Sequence, residues 1–284
     1  MQKILIFGSQ GLLGRALCRN LTSLKGVEVL GLNHQQADIT NQKSVSKIMA
    51  DFSPKFVINS AAYTNVDKAE TDRETCVNVN VLGAENVAKA VAISAAQLIH
   101  ISTASVFNSL RIDLIPKDSP FSPSNYYSET KAKAETSCKN ILANTDQLTI
   151  FRTYWLYGEN KKNFVSFLRQ QLAEDKETQV VEDQYGQPTF TNTVIQAITY
   201  RIQGHIPNGT YPATNSGITS RFDWAESICK SMKKSKSLLK RVNSTEFPAA
   251  AQRPFNASLD HADWDRFGVK FRDWESELQQ YAQF

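Results

Sequence analysis

Paired cysteines, clustered histidines and long apolar runs are all missing from this chain of 284 residues. Its four cysteines, Cys18, Cys76, Cys138 and Cys229, stand far apart with no C-x-x-C spacing. They read as free thiols in a reducing compartment, so neither a disulfide frame nor a thiolate zinc site is expected. The four histidines, His34, His100, His205 and His261, are equally dispersed, and no metal site is expected. No apolar run approaches the ~18 residues of a membrane span. Met1–Gly8 is too short, and too early broken by glycine, for a secretory leader. A cytoplasmic protein is expected. The net charge of +4 suits an anionic small ligand. It calls for neither nucleic acid nor a membrane as partner.

What is present is a rhythm. Short apolar runs at Lys3–Phe7, Val27–Leu32, Lys55–Asn59, Leu98–Ser102 and Leu148–Arg152 read as five strands. Helical patterns fall between them at Leu12–Leu24, Val45–Asp51, Asn80–Ser94 and Ser124–Asn144. Buried-looking strands alternating with helices predict an α/β fold, a Rossmann-like doubly wound parallel sheet. The expected dinucleotide-binding unit is 1–152, with segments returning from about 188–212. A smaller C-terminal lobe, 153–187 and 213–284, would carry the substrate. Asn208–Ser220 reads as loop-rich, and no internal repeat or low-complexity linker is visible. The default ligand site is the cleft at the carboxyl ends of the strands.

The first strand runs into Gly8-Ser9-Gln10-Gly11-Leu12-Leu13-Gly14, and a helix follows. Glycines there permit a tight turn and let backbone N–H groups approach a pyrophosphate at the helix N-terminus. Gly8, Gln10, Gly11, Leu12, Leu13 and Gly14 are therefore candidate cofactor residues. The second strand ends at Asn33-His34, without the carboxylate that usually binds an NAD ribose. That favours NADPH and leaves NADH open. Asp38 and Ile39 are the next candidates for adenine contact, although Asp38 also suits a plain turn.

Tyr127 and Lys131 are four residues apart, which on a helix stacks them on one face. An ammonium beside a phenol favours the phenolate and lowers its pKa. Such a pair suits acid–base work on a carbonyl or alcohol. A second copy of the spacing, Tyr157 and Lys161, spans Gly158 and Asn160, so a loop is expected there. The run Asp67-Lys68-Ala69-Glu70 reads as the start of a helix.

The glycine spacing, Asn59-Ser60-Ala61-Ala62, Ser102-Thr103 at a strand end, and Tyr127-x-x-x-Lys131 occur in one order. Together they resemble the extended short-chain dehydrogenase/reductase superfamily. The blocks Tyr63–Glu70, Phe151–Gly158, Asp183–Thr189 and Arg253–Asn256 resemble the dTDP-4-dehydrorhamnose reductase family, over essentially the whole chain. The resemblance implies a reductase of a nucleotide-linked 4-keto deoxysugar. Thr103 would hydrogen-bond the substrate oxygen, Tyr127 would donate the proton, and Lys131 would bind the nicotinamide ribose and depress Tyr127. Ala61, Ala62 and Thr64 would line the cofactor, Trp155 the sugar or nucleotide, and Asn163 the diphosphate. The partner would be a nucleotide-diphosphate sugar, and a homodimer stays open.

One block departs from the family. Its usual Thr-Asp-Tyr-Val-Phe reads here Thr103-Ala104-Ser105-Val106-Phe107, without the acid or the first aromatic. Reduction of a different 4-keto nucleotide sugar is therefore an alternative. From another class, so is a non-catalytic NADP(H)-binding regulatory subunit. A sugar-nucleotide 4,6-dehydratase would need an Asp-Glu pair after Thr103, which Ala104-Ser105 does not supply.

Overall fold

A computed structural model describes residues 1–159 and 162–281. Its centre is a parallel sheet of six strands. In chain order these are β1 (Gln2–Phe7), β2 (Val27–Leu32), β3 (Phe56–Asn59), β4 (Gln97–Thr103), β5 (Leu148–Thr153) and, after a long excursion, one more at Gly209–Pro212. The spatial order is Gly209–Pro212, β5, β4, β3, β1, β2. The reversal between β1 and β3 opens a crevice at the strands' carboxyl ends, where ligands bind in doubly wound folds.

Helices cover both faces. On one face α1 (Leu12–Thr22) presents Leu13, Leu17 and Leu21 at four-residue steps to Ile4, Ile6 and Ile58. On the other, α2 (Gln42–Phe52), α3 (Gly83–Ala92) and α4 (Tyr126–Ile141) pack on Leu5, Phe7, Val57 and Leu98. With both faces covered, the inner strands carry consecutive buried residues, Ile4–Phe7, Phe56–Asn59 and Leu98–His100, rather than an alternation. The Rossmann-like α/β architecture read from the sequence is the one present.

Three local expectations need correction. The sheet has a sixth strand inside the stretch read as loop: Gly209–Pro212 pairs with Thr149–Arg152 of β5. The helix expected over Asn80–Ser94 is broken in two, a π-helical turn at Asn78–Leu82 preceding α3. Asn80 explains the break. Its buried amide accepts from Tyr63 N (2.8 Å) and donates to Thr130 Oγ1 (2.9 Å), which draws the turn toward α4. Tyr157 lies not in a loop but in a two-residue strand with Thr189–Phe190, fully buried; Lys161 falls outside the described residues.

The C-terminal half builds a second core beside the crevice. Helix α5 (Phe164–Ala173) and α6 (Thr191–Ile202) follow β5, and α7 (Arg221–Ser231) comes after Gly209–Pro212. Helix α6 returns to the sheet and packs on α1. Helices α5 and α7 close instead around Tyr157, Leu168, Phe222 and Trp224, with a small parallel pair, Thr178–Val181 and Leu239–Val242.

Candidate active site

The carboxyl ends of the strands open into a cavity of about 1080 Å³. Gly11, Leu12, Leu13, Ala62, Thr64, Thr103, Tyr127, Lys131, Trp155 and Asn163 all line it. Gly8, Gln10 and Gly14 shape the turn beside it. Ala61 backs that turn. Asp38 and Ile39 do not line the cavity. Asp38 Oδ1 accepts from Thr40 N (2.9 Å) and Thr40 Oγ1 (2.8 Å), and Ile39 is buried against Gly83.

The turn fits a dinucleotide. Gly8 has φ +81°, and a Cβ there would come within 2.7 Å of Ala61 N. A Cβ on Gly14 would collide with the Gly8 carbonyl. The chain can therefore bring β1, α1 and the Ser60–Ala61 segment together only without side chains at these points. Gly11 caps α1 and offers its first-turn N–H groups no side-chain acceptor. Those donors are what a pyrophosphate takes. Arg15 donates to the Gln10 carbonyl (3.1 Å), and Asn33 Oδ1 holds the next turn by accepting from Gln35 N and Gln36 N.

Opposite the turn stand Thr103, at the end of β4, and Tyr127 and Lys131, one turn apart on α4. Two caps fix the start of that helix. Asn125 accepts from Ser128 N (2.9 Å), and Glu70 Oε1 accepts from Tyr126 N (2.8 Å). Glu70 belongs to a single 3-10 turn, Lys68–Glu70, rather than to a longer helix. Lys131 is almost wholly buried and donates from Nζ to the Ile101 carbonyl (2.8 Å). Burial lowers its pKa to about 8, against the raising pull of Glu135. Burial pushes the phenol of the half-buried Tyr127 up to about 12, and Thr103 beside it pulls the other way. The expected depression by Lys131 is not among the causes of that shift: the ammonium is held on the Ile101 carbonyl, and desolvation favours the neutral phenol.

Ser105 joins this group. Its N–H donates to Thr103 Oγ1 (3.2 Å), and the two hydroxyl oxygens are 3.0 Å apart. Ser128 donates its hydroxyl to Ser105 Oγ (2.9 Å). The Ser105 proton is then free to point at Thr103. Both lone pairs of Thr103 are taken by one neighbour, and its own proton is left to face Tyr127 and the cavity. In the sequence Ser105 stood out only as a departure.

The far wall is aromatic and basic. Trp155 has φ +42°, a strained conformation for a bulky residue. It is clamped between Tyr154 (centroids 5.3 Å apart) and Trp224 (5.6 Å, planes 7° apart). Asn163 caps α5, accepting from Ser166 N (3.1 Å) and donating to the Gly158 carbonyl (2.8 Å). At the rim Arg253 grips Asp67 at 2.7 and 2.8 Å and holds its carboxyl below the usual range. Arg221 and Tyr154 also line this wall, and sequence reasoning singled out neither. Among the described residues no group of three or more His, Cys, Asp or Glu is placed to hold a metal, and no helix is long and apolar enough to cross a membrane.

Comparison with known proteins agrees with this geometry. The RmlD substrate binding domain family matches residues 1–284. The chain is 33% identical over 283 residues to the spore coat polysaccharide biosynthesis protein SpsK of Bacillus subtilis, covering 100% of this chain and 98% of that one. It is 35% identical over 286 residues to a dTDP-4-dehydrorhamnose reductase of Mycolicibacterium smegmatis, with 98% and 84% covered. A crystal structure of dTDP-4-dehydrorhamnose reductase from Bacillus anthracis in complex with NADP superposes with a TM-score of 0.93 at 31% identity, covering 99% of each chain. A dTDP-glucose 4,6-dehydratase of Streptomyces venezuelae, at 15% identity and TM-score 0.85, shares the fold. On these grounds the chain belongs to the RmlD substrate binding domain family.

Proposed function

We propose that this protein is an NADPH-dependent oxidoreductase that reduces the 4-keto group of a nucleotide-linked deoxysugar, converting dTDP-4-dehydro-6-deoxy-L-mannose to dTDP-L-rhamnose. One observation carries the reading. A phenol, a hydroxyl and an ammonium converge beside a glycine cradle for a dinucleotide, in a single cavity with room for a second ligand. The relatives named as dTDP-4-dehydrorhamnose reductases support the substrate. A cytoplasmic setting belongs to the same proposal, and a homodimer is an expectation for sedimentation to test.

The roles follow from chemistry. Bound NADPH supplies a hydride to the sugar C4, and negative charge gathers on the keto oxygen. Thr103 donates a hydrogen bond to that oxygen as charge develops. Tyr127 transfers its phenolic proton to it, leaving an alcohol. A phenol kept neutral by burial holds that proton ready at neutral pH. The Lys131 ammonium, fixed on Ile101, would bind the nicotinamide ribose hydroxyls and bring positive charge toward the phenolate left on Tyr127. Gly8 to Gly14 would hold the pyrophosphate, and Ala61, Ala62 and Thr64 the nicotinamide end.

The test is NADPH oxidation with dTDP-4-dehydro-6-deoxy-L-mannose. Turnover in the wild type that vanishes in Tyr127→Phe is the expected result. Tight NADPH binding without turnover on any 4-keto nucleotide sugar would overturn the proposal and favour a regulatory subunit. Turnover on another 4-keto sugar only would move the substrate and keep the reaction. Ser105 lines the cavity where the family's usual aromatic would stand, while Ala104, in place of the usual acid, is wholly buried, so the sugar specificity is what this assay must decide.

A further inference from the structure

Arg221 opens α7 and faces the cavity from the C-terminal lobe. Its guanidinium carbon lies 4.6 Å from the Trp155 ring centroid, 4.2 Å from Phe164 and 5.3 Å from Trp224. Three rings therefore fix its position, yet its guanidinium meets no hydrogen-bond acceptor and no carboxylate among the described residues; only its backbone N–H is paired, with the Gln184 carbonyl (2.8 Å). The contrast with other inward-facing arginines is sharp. Arg152 is taken up by Glu135, Arg253 by Asp67, and Arg201 by Thr149, Asn208 and Gln97. A guanidinium carries five donors, and inside proteins such donors are normally satisfied. Burial lowers the Arg221 pKa to about 10, so its surroundings resist the charge without supplying a counter-ion. Tyr154, the group whose charge would favour the guanidinium, is itself held neutral by burial.

We propose that Arg221 anchors an anionic group in the substrate half of this cavity, and that the group is the diphosphate of the nucleotide sugar. This identification of the anion rests on the reductase reading; the anchor itself rests on the geometry. The cofactor's pyrophosphate is not the candidate, since its cradle lies across the cavity at Gly8–Gly14. A planar fork pinned by aromatic faces suits bidentate binding of phosphate oxygens and loses little freedom on doing so. The stack on Trp155 couples the anchor to the residue with strained backbone.

Equilibrium binding of dTDP, inorganic pyrophosphate, deoxythymidine and NADPH to the full chain tests this. Arg221→Gln is expected to raise the dissociation constant of dTDP and of pyrophosphate by about 10- to 100-fold, the range for a charged hydrogen-bonding group. Deoxythymidine and NADPH should bind as they do to the wild type. Unchanged dTDP affinity in a variant that still binds NADPH overturns the proposal, as does failure of both dTDP and pyrophosphate to bind the wild type. Should Arg221→Gln lose NADPH binding through misfolding, Arg221→Lys decides. It keeps the charge but not the fork, and an affinity for dTDP equal to wild type would count against the anchor. Phosphate-dependent binding without turnover on any keto sugar would sink the reductase reading while leaving the anchor in place.

Discussion

Glu135 and Arg152 are joined by three N–H···O contacts of 2.7, 2.9 and 3.2 Å, both side chains almost wholly shielded from solvent. Ser102 donates to the same carboxylate at 2.5 Å, and Arg152 also donates to the Lys117 carbonyl. Glu135 sits one turn beyond Lys131 on α4, so the pair forms the floor under the Lys131 ammonium. Removing one partner of a buried pair strands the other charge. Glu135→Ala is expected to lower unfolding free energy by about 3–5 kcal/mol, read from the midpoint of a urea transition. A change below about 1 kcal/mol would mean that water reaches Arg152 and the floor is not dry.

Tyr127→Phe removes the proton donor and leaves the ring. Turnover should fall by about 10²- to 10⁴-fold, the usual contribution of a positioned acid. The NADPH dissociation constant should stay within about twofold of wild type, since a shift of that size is well under 1 kcal/mol. Retained turnover would mean that another group, or water, delivers the proton.

Lys131 sets a pH limb. With its pKa near 8 it loses the ammonium as pH rises, and kcat/KM should fall above about pH 8. Stability moves the other way. Between the folded value near 8 and the unfolded value of 10.5, the unfolded chain binds more protons, so this group adds stability as pH rises through that window. Tyr127 reverses the sign at higher pH. Its folded pKa of about 12 exceeds the unfolded 10.0, and its contribution is lost as pH climbs from 10 toward 12. Activity falling while the thermal midpoint holds would separate the lysine's titration from unfolding. A rate flat to about pH 10 would remove Lys131 from the titrating step.

Ser105→Ala takes one of the two hydrogen bonds that turn the Thr103 proton toward the cavity. The Ser105 N–H remains, so the threonine should stay in place but lose its fixed polarity. A fall in kcat of roughly 3- to 10-fold is expected, the worth of one neutral hydrogen bond, with KM unchanged. A rise in KM at constant kcat would mean that Ser105 binds the sugar instead.

Gly8→Ala would place a methyl against the Ala61 backbone and force a non-glycine residue to φ +81°. The conformation alone costs about 1–2 kcal/mol, and the clash adds to it. A lower thermal midpoint and weakened NADPH binding are expected together. NADPH affinity that survives intact would place the dinucleotide away from this turn.

The first five strands were legible because each is a short run rich in apolar residues set between helical patterns, and the glycine turn because its spacing falls at a strand–helix junction. Gly209–Pro212 was not. A run of Gly, Thr, Tyr and Pro has no apolar signature, and only its pairing with β5 makes it a strand. Proline is tolerated there because the strand is at the sheet's edge. Arg221 was hidden for a related reason. A single arginine at a helix start reads as solvated until Trp155 and Phe164, far upstream in the chain, are seen against it beside Trp224. The spacing of Tyr127 and Lys131 gave their shared face, but not the Ile101 carbonyl that holds the ammonium. That carbonyl, and the desolvation around the phenol, decide which way its proton equilibrium leans.

The pairing of Gly209–Pro212 with β5 also orders the birth of the molecule. During synthesis β5 emerges long before its outer neighbour, and everything between them, α5 and α6 included, must leave the ribosome first. Through that interval β5 presents an open row of backbone donors and acceptors, a template for pairing with the wrong chain. A polypeptide stalled or clipped between Thr153 and Gly209 would keep the glycine cradle and Tyr127, yet carry a sticky border. Its fate would be aggregation or capture by a chaperone rather than service as a half-enzyme.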